Sequence, residues 1–355
     1  MRIAFLAAAT IHSVRWVNAL AERGHEVHLI TMHAGKENLD KRIILHKLKF
    51  SAPIGYYLNV IALKNILKKI KPDLLNTHYA SGYGTLARLS GFSPYLLSVW
   101  GSDVYLFPYH SKWNFSTLVK NLKAADKIAS TSEAMKLQTE SLYQPNKEIA
   151  ITPFGVDCDK FQPDPQRVSK KLRIGTIKTM SQTYGISYLM EAFAIARDHG
   201  LQDAELILVG DGHQMGELKE LAQKLRIEDS VQFIGAIPHD EVPKWLNTFD
   251  IFIALSNSES FGVAIIEASA CAVPVIVSNV GGLPEVVVQG ETGYIVPPRN
   301  PQAAAESIIE LASNHQLRQK MGDKGRQFVL KNYEWEENVD RMELLYQDVL
   351  KEYRN

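Results

Sequence analysis

Two carboxylates stand eight positions apart where charge is costly. In "ALSNSESFGVAIIEASACAVPVI" (254–276), residues 261–274 are small or apolar almost without interruption, the composition of a helix buried on most of its faces. Glu267 lies inside this stretch and Glu259 just ahead of it. An ionised carboxylate in such a setting needs hydrogen-bond donors around it, from a ligand or from local backbone. Lys178, in "IGTIKTMSQTYGISYLMEAFA" (174–194), follows a strand-like run. A lysine there can neutralise a diphosphate as a point charge, or be an ordinary solvated loop residue. In "ILVGDGHQMGELKEL" (207–221), Gly210 and Gly212 sit between a strand pattern and a helix pattern. Glycines there let backbone approach a ligand closely and the helix start favours an anion, although a plain tight turn has the same look. Gln214 and Met215 break the G-x-G-x-x-G dinucleotide spacing, and the first strand ends in "AAATIHSVRW" with no such fingerprint, which argues against a nicotinamide dehydrogenase.

The elements that must position these residues alternate strand and helix. The first half reads Arg2–Ala8, Val14–Arg23, His25–Thr31, Tyr57–Ile70, Asp73–Thr77, Gly82–Ser90 and Tyr95–Val99, with last strands at Lys127–Ser132 and Glu148–Thr152. Gly24 follows the first helix where a left-handed cap is wanted. After the Pro-, Gly- and Asp-rich "TPFGVDCDKFQPDPQR" (152–167) the pattern restarts. Strands are expected at Leu172–Ile177, Glu205–Val209, Val231–Gly235, Ile251–Ala254 and Val273–Ser278. Helices are expected at Ser187–His199, Gln214–Leu225, His239–Thr248, 261–274, Leu283–Gln289, Pro301–Asn314, Gln316–Asn332 and Trp335–Tyr353. This predicts an α/β chain of two doubly wound parallel sheets. The expected domains are 1–160, 166–334 and a terminal helix, 335–355, crossing back to the first domain. Two such sheets facing a central cleft suit a two-substrate transfer, and also a bilobed binding protein.

At 355 residues and 46% apolar, the chain is long enough for two cores. Cys158 and Cys271 lie 113 positions apart without a C-x-x-C partner, which fits a reducing cytoplasm and neither a disulfide framework nor a zinc site. No signal-like segment or run of 18 apolar residues is present, so secretion and membrane spanning are not expected. The zero net charge hides a split: residues 1–160 carry 20 Lys and Arg against 12 Asp and Glu, the remainder 19 against 27. Such asymmetry points to an acidic partner for the first half, or to surface drift.

The stretch from Glu259 to Glu267 resembles the E-x7-E motif of glycosyltransferase family 4, retaining enzymes of GT-B fold. "GVDCDKF", "VGDG", "FIGAIPHDEVPKWLNTFDIFIALSNSESFG", "EASACAVPVIVSNVGGLPEVV" and "GETGYIVPPRNP" are similar to that family, as is "HSVRWVNALAERGHEVHLIT" near the start. The resemblance implies that Glu267 accepts hydrogen bonds from the nucleotide ribose and that Glu259 lies near the donor sugar. Eight residues of helix would span about 12 Å, the reach from sugar to ribose. The N–H groups around Phe261, Gly262 and Val263 would face the diphosphate, with Gly262 leaving room for it. Gly210, Gly212, Ile237 and Thr176 complete the expected nucleotide-sugar side. Members commonly carry Arg and Lys where this chain has Thr176 and Tyr184, so Lys178 is expected to supply the phosphate cation. The first domain usually offers a histidine after its fourth strand, whereas "LLSVWGSDVY" gives Trp100 and Asp103; "AAATIHS" replaces a glycine-rich acceptor loop.

The reaction this resemblance implies is a sugar transfer from a nucleoside diphosphate donor, with uridine the expected base, to a hydroxyl acceptor. No metal or other cofactor is expected. Asp103 and His12 are acceptor-side candidates, against a turn-stabilising and a capping role respectively; His78 is a third. His239 reads as a surface residue near a helix start and is assigned nothing. Lysines interleaved with aromatics in "LKNILKKIKPD" (63–73) and "YLFPYHSKWNFSTLVKNLKAADK" (105–127) suit an anionic membrane surface, or a solvated helix face. The expected setting is cytoplasmic, peripheral on the inner face of the cell membrane, with a saccharide or lipid-linked saccharide acceptor. A nucleotide-sugar epimerase and a non-catalytic nucleotide-sugar-binding protein are the competing readings. Nucleic-acid binding lacks a recognisable basic module.

Overall fold

The computed structural model describes residues 1–33, 39–165 and 171–354. Residues 166 and 167 of the expected linker, and with them the expected start of the second domain, lie outside the described residues. The chain divides into two compact units, Met1–Pro153 with Glu337–Asn355, and Phe154–Glu336.

In the first unit the strands are β1 (Arg2–Leu6), β2 (Glu26–Thr31), β3 (Ile44–Lys47), β4 (Leu74–His78), β5 (Tyr95–Val99), β6 (Lys127–Ser130) and β7 (Ala150–Ile151). The helices are α1 (Ile11–Glu22), α2 (Gly55–Leu58), α3 (Val60–Ile70), α4 (Gly82–Ser90), α5 (Ser102–Tyr105), α6 (Lys112–Ala124) and α7 (Glu133–Leu142). All strand pairs are parallel, in the order β3-β2-β1-β4-β5-β6-β7. Gly24 takes φ +84° directly after α1, the left-handed turn expected there. Ser111 and Ser132 cap α6 and α7 by accepting N–H bonds from Asn114 and Met135.

The second unit repeats the plan with β8 (Arg173–Ile177), β9 (Glu205–Val209), β10 (Val231–Gly235), β11 (Ile251–Ala254), β12 (Val275–Ser278) and β13 (Gly293–Val296). Its helices are α8 (Ile186–Asp198), α9 (Met215–Lys224), α10 (Val242–Leu246), α11 (Val263–Ala270), α12 (Pro301–Ser313) and α13 (His315–Asn332). This sheet is also all parallel, in the order β10-β9-β8-β11-β12-β13. Strand residues such as Ile174, Leu206 and Ile253 and helix residues such as Leu189, Phe193 and Ile308 form one core, each fully or almost fully buried. Burying each such side chain contributes about 1.5–3 kcal/mol before entropy is counted. The last helix, α14 (Trp335–Arg354), joins the first unit from Glu337 onward. There Arg23 pairs with Glu343 at 2.6 Å, and the Tyr346 hydroxyl donates to Asn76 Oδ1 at 3.2 Å.

Several elements depart from expectation. The helix expected over 57–70 is two pieces, interrupted at Asn59, whose side chain bonds the Phe50 backbone at both N–H and C=O. The run 283–289 is only a 3₁₀ turn, Leu283–Glu285, and 239–248 opens with another, His239–Glu241, ahead of α10. The apolar stretch 261–274 is helical only over Val263–Ala270. No described helix is long and apolar enough to cross a membrane.

Candidate functional site

In open parallel sheets, ligands bind beyond the carboxyl ends of the strands where the winding direction reverses. In the second unit that reversal lies between β8 and β11. Lys178 follows β8 and Glu259 lies in the loop after β11, and the two meet there, Nζ to Oε2 at 2.5 Å. Their side chains are only 9% and 14% exposed, and Nζ also stands 4.9 Å from the Tyr184 ring. A cation and a carboxylate held this close in a sheltered site are each poised to exchange partners with a ligand of the matching charge. Glu259 is outside α11, so the helical span of eight residues expected between the glutamates does not apply.

The glycines turn out to act on the protein itself. A Cβ on Gly210 (φ +133°) would stand 2.0 Å from the Lys178 carbonyl oxygen, and one on Gly212 would stand 2.3 Å from that of Met180. Backbone bonds stitch the same loops together: Lys178 N–H to Val209 O, Met180 N–H to Asp211 O, and Gly210 N–H to Gly235 O. The Gly-Asp-Gly turn therefore presses the loops after β8, β9 and β10 into one platform beside Lys178. Gly210→Ala should lower unfolding stability by about 2–4 kcal/mol, through left-handed strain and overpacking. An unchanged urea midpoint would contradict this arrangement.

Glu267 sits on α11, 6% exposed. Its Oε1 accepts from His239 Nε2 at 3.1 Å, and among the described residues no backbone group bonds the carboxylate. Ahead of it, the N–H groups of Phe261, Gly262 and Val263 make no hydrogen bond among the described residues, as the first turn of a helix leaves them. The Phe261 ring is buried against Phe154 and Tyr333, so only its backbone can meet a ligand. Gly262 is needed for its φ of +107°; the space beside it is taken by Leu283 and Ile265, contrary to the room expected for a phosphate. Val263 is half-buried at the helix start, and Ile237 half-buried in the loop after β10. Thr176 is fully buried inside β8, its hydroxyl without a partner among the described residues, so its expected contact with a nucleotide is not available to the side chain.

The first unit has its own reversal, between β1 and β4. His12 stands in the first turn of α1, past the Thr10 cap, and its ring meets Trp100 edge-on at 6.1 Å. Trp100, after β5, also packs 4.2 Å from His78 and 5.4 Å from Tyr79. Asp103, expected on the acceptor side, is instead 1% exposed and accepts the N–H groups of Ala80 (2.7 Å), Gly101 (2.8 Å) and Trp100 (3.2 Å). Burial raises its carboxyl above the usual range and those bonds oppose the rise. It is the residue that builds the turn carrying Trp100.

His78 is buried, donating from Nε2 to Asn76 Oδ1 at 3.0 Å, with Ser13 Oγ 3.4 Å from Nδ1. The amide of Asn76 donates to Ser98, which leaves Oδ1 as acceptor and fixes this tautomer. Burial first, and His12 second, push the His78 pKa down to about 3 from its ordinary 6.5. The unfolded chain thus takes up this proton first. The contribution of neutral His78 is complete above pH 6.5 and is lost as pH falls toward 3. Between pH 7 and 5 this one group should remove about 2 kcal/mol of unfolding stability, and His78→Gln should show a correspondingly flatter dependence in urea titrations. Equal slopes would contradict a neutral buried imidazole.

Residues 2–132 match the family described as "Glycosyl transferase 4-like", and residues 157–328 the family described as "Glycosyl transferases group 1". The chain belongs to glycosyltransferase family 4. It is similar to N-acetyl-alpha-D-glucosaminyl L-malate synthase of Bacillus anthracis, 28% identical over 95% of this chain and 92% of that one. It is also similar to the GDP-mannose-dependent alpha-(1-6)-phosphatidylinositol monomannoside mannosyltransferase of Mycobacterium tuberculosis, 29% identical over 70% of this chain and 68% of that one. Among solved structures, HepE of Anabaena, in complex with UDP, matches with a TM-score of 0.85 at 19% identity over 98% of this chain and 100% of that one. The fold is that of GT-B glycosyltransferases.

For this glycosyltransferase, the site in the second unit brings together Lys178 with Glu259, and Glu267 with a residue not foreseen, His239. The signal for His239 is present in "FIGAIPHDEV", a short loop after a strand at the carboxyl edge of the sheet. Its neighbour Asp240 pairs outward with Lys160, so the turn carries one residue to solvent and the next to the site.

Proposed function

We propose that this chain transfers a sugar, with retention at the anomeric carbon, from a UDP-linked donor to a hydroxyl of a saccharide or lipid-linked saccharide in cell-surface polysaccharide or glycolipid assembly. The observation that carries this reading is the Lys178–Glu259 pair at the reversal of the second sheet. As the bond from the anomeric carbon to the phosphate oxygen breaks, its electron pair goes to the diphosphate. Lys178 and the amino end of α11 meet that charge. The acceptor oxygen bonds the anomeric carbon on the same face, and the departing phosphate takes the acceptor proton, so no enzymic nucleophile is needed. Glu267 accepts the ribose hydroxyls, Glu259 lies beside the donor sugar, and the reading invokes no metal. UDP bound to HepE is in keeping with a uridine donor.

A panel of nucleotide sugars with cell-envelope acceptors, scored by NMR of the product anomer, tests this. Inverted product removes the retaining mechanism. Sugar isomerisation without acceptor turns the reading to an epimerase, and donor binding without turnover turns it to a binding protein.

The acceptor side is proposed to work at the inner face of the cell membrane. Between Asp40 and Asp73 the chain carries eight Lys and Arg and no carboxylate; between Asp103 and Asp126 it carries three lysines and none. On the same segments Ile54, Ile61, Tyr109 and Trp113 are 61–73% exposed, and the Tyr57 and Trp113 rings lie 6.4 Å apart. Apolar side chains beside a local excess of cations suit an anionic bilayer. The protein should float with phosphatidylglycerol liposomes, lose this in high salt and not float with phosphatidylcholine alone; equal behaviour in all three removes the membrane claim.

A further inference from the structure

A carboxylate has two oxygens, and those of Glu267 are treated differently. Oε1 is held by His239 at 3.1 Å. Oε2 has no partner among the described residues, yet it is not among the side-chain atoms sealed from solvent without one. Because a carboxylate can only accept, the shared proton belongs to the imidazole, which fixes Nε2 as its protonated nitrogen. The ring that donates is itself well seated. It lies 5.7 Å from the Phe161 ring, its turn closes through Glu241 N–H to Pro238 O, and Lys160 pins the adjacent Asp240 at 2.5 Å. Phe161 is in turn fixed by its N–H to Asp157 O and by Arg326 on its carbonyl. His239 keeps about a third of its side chain exposed, so it stands at the rim of the site where Glu267 stands within it.

We infer that His239 is a positioning residue that holds one oxygen of Glu267 so that the other is aimed at the hydroxyl pair of the donor ribose. This rests on the reading that Glu267 binds the donor nucleotide. Without the donor N–H, the glutamate on a mostly apolar helix would have no hydrogen-bonding group among the described residues to fix its terminal torsion, which is broad and roughly two-fold in glutamate. His239 would then set how strictly the enzyme requires a ribose diol, while leaving the diphosphate to Lys178.

The test is titration of UDP, GDP and ADP into the wild type, the tightest being carried forward with its 2′,3′-dideoxy analogue. In the wild type the dideoxy form should bind at least ~10²-fold more weakly, the worth of two hydrogen bonds to a charged group. In His239→Ala the intact nucleotide should weaken by ~10-fold and the dideoxy form hardly at all, so that discrimination shrinks by about that factor. The KM for donor should rise alongside, with kcat at saturating donor within ~3-fold, since uniform binding affects KM alone. His239→Gln, whose amide can donate to the same oxygen, should recover most of the discrimination. An unaltered ratio of the two affinities in His239→Ala, whether both weaken together or neither changes, would overturn the proposal. A wild type that binds none of the three nucleotides would refute the donor-site reading, and this inference with it. A wild type that binds and turns over donor with an unaltered His239→Ala ratio removes the inference alone.

Discussion

Lys178→Ala is expected to lower kcat by about 10²–10³-fold, the usual cost of removing one group that meets developing negative charge. The loss should persist at saturating donor, because the charge it answers grows as the diphosphate leaves. Lys178 is paired with Glu259 where both side chains are largely covered. Truncating the lysine therefore leaves Glu259 covered and uncompensated, and stability should fall along with activity. The double variant Lys178→Met with Glu259→Gln separates the two effects. It removes both charges at similar volume, so the urea midpoint should return toward that of the wild type while turnover stays low. Wild-type kcat in Lys178→Ala at saturating donor eliminates the proposed role. Recovery of activity along with stability in the double variant would make the pair a structural one.

The alternation of strands and helices is legible because parallel strands buried on both faces read as compact apolar runs, such as Glu205–Val209 and Ile251–Ala254. The strands that sequence reasoning misses carry weaker signals. β3 is a half-exposed edge, "ILHK", and β13 is four residues following a turn, "GYIV". The pair Lys178 and Glu259, 81 positions apart, can be nominated residue by residue, but their contact follows from the sheet order, which no local pattern contains. The glycines mislead for a physical reason. A glycine demanded by a ligand and one demanded by a neighbouring carbonyl look alike in sequence, and at Gly210 and Gly212 a neighbouring carbonyl alone requires it. Asp103 is open between turn and acceptor until three backbone N–H groups decide for the turn. His239 draws no notice in sequence because an exposed loop histidine is ordinary until its partner is known.

Glu267→Ala should produce a protein that folds at least as well as the wild type and scarcely uses its donor. The helix α11 is apolar at Ile265, Ile266, Ala268 and Ala270, all fully buried, and Glu267 among them is 6% exposed. One hydrogen bond from His239 offsets only part of the desolvation of its charge. Alanine at this position loses no backbone bond, since the carboxylate makes none among the described residues, and it has the higher helix propensity. On folding grounds alone the glutamate is a liability, in keeping with the proposed binding role. Two ribose hydroxyls bound to a carboxylate are worth about 10²–10⁴-fold together at ~1.5–3 kcal/mol for each charged hydrogen bond, so kcat/KM should fall by at least ~10². Glu267→Gln keeps the volume and one acceptor oxygen, and should fall between alanine and wild type. Urea denaturation and donor kinetics on the same preparations decide the matter. A variant that loses stability but keeps its kcat/KM would show that the carboxylate serves the fold, and the ribose assignment would be withdrawn.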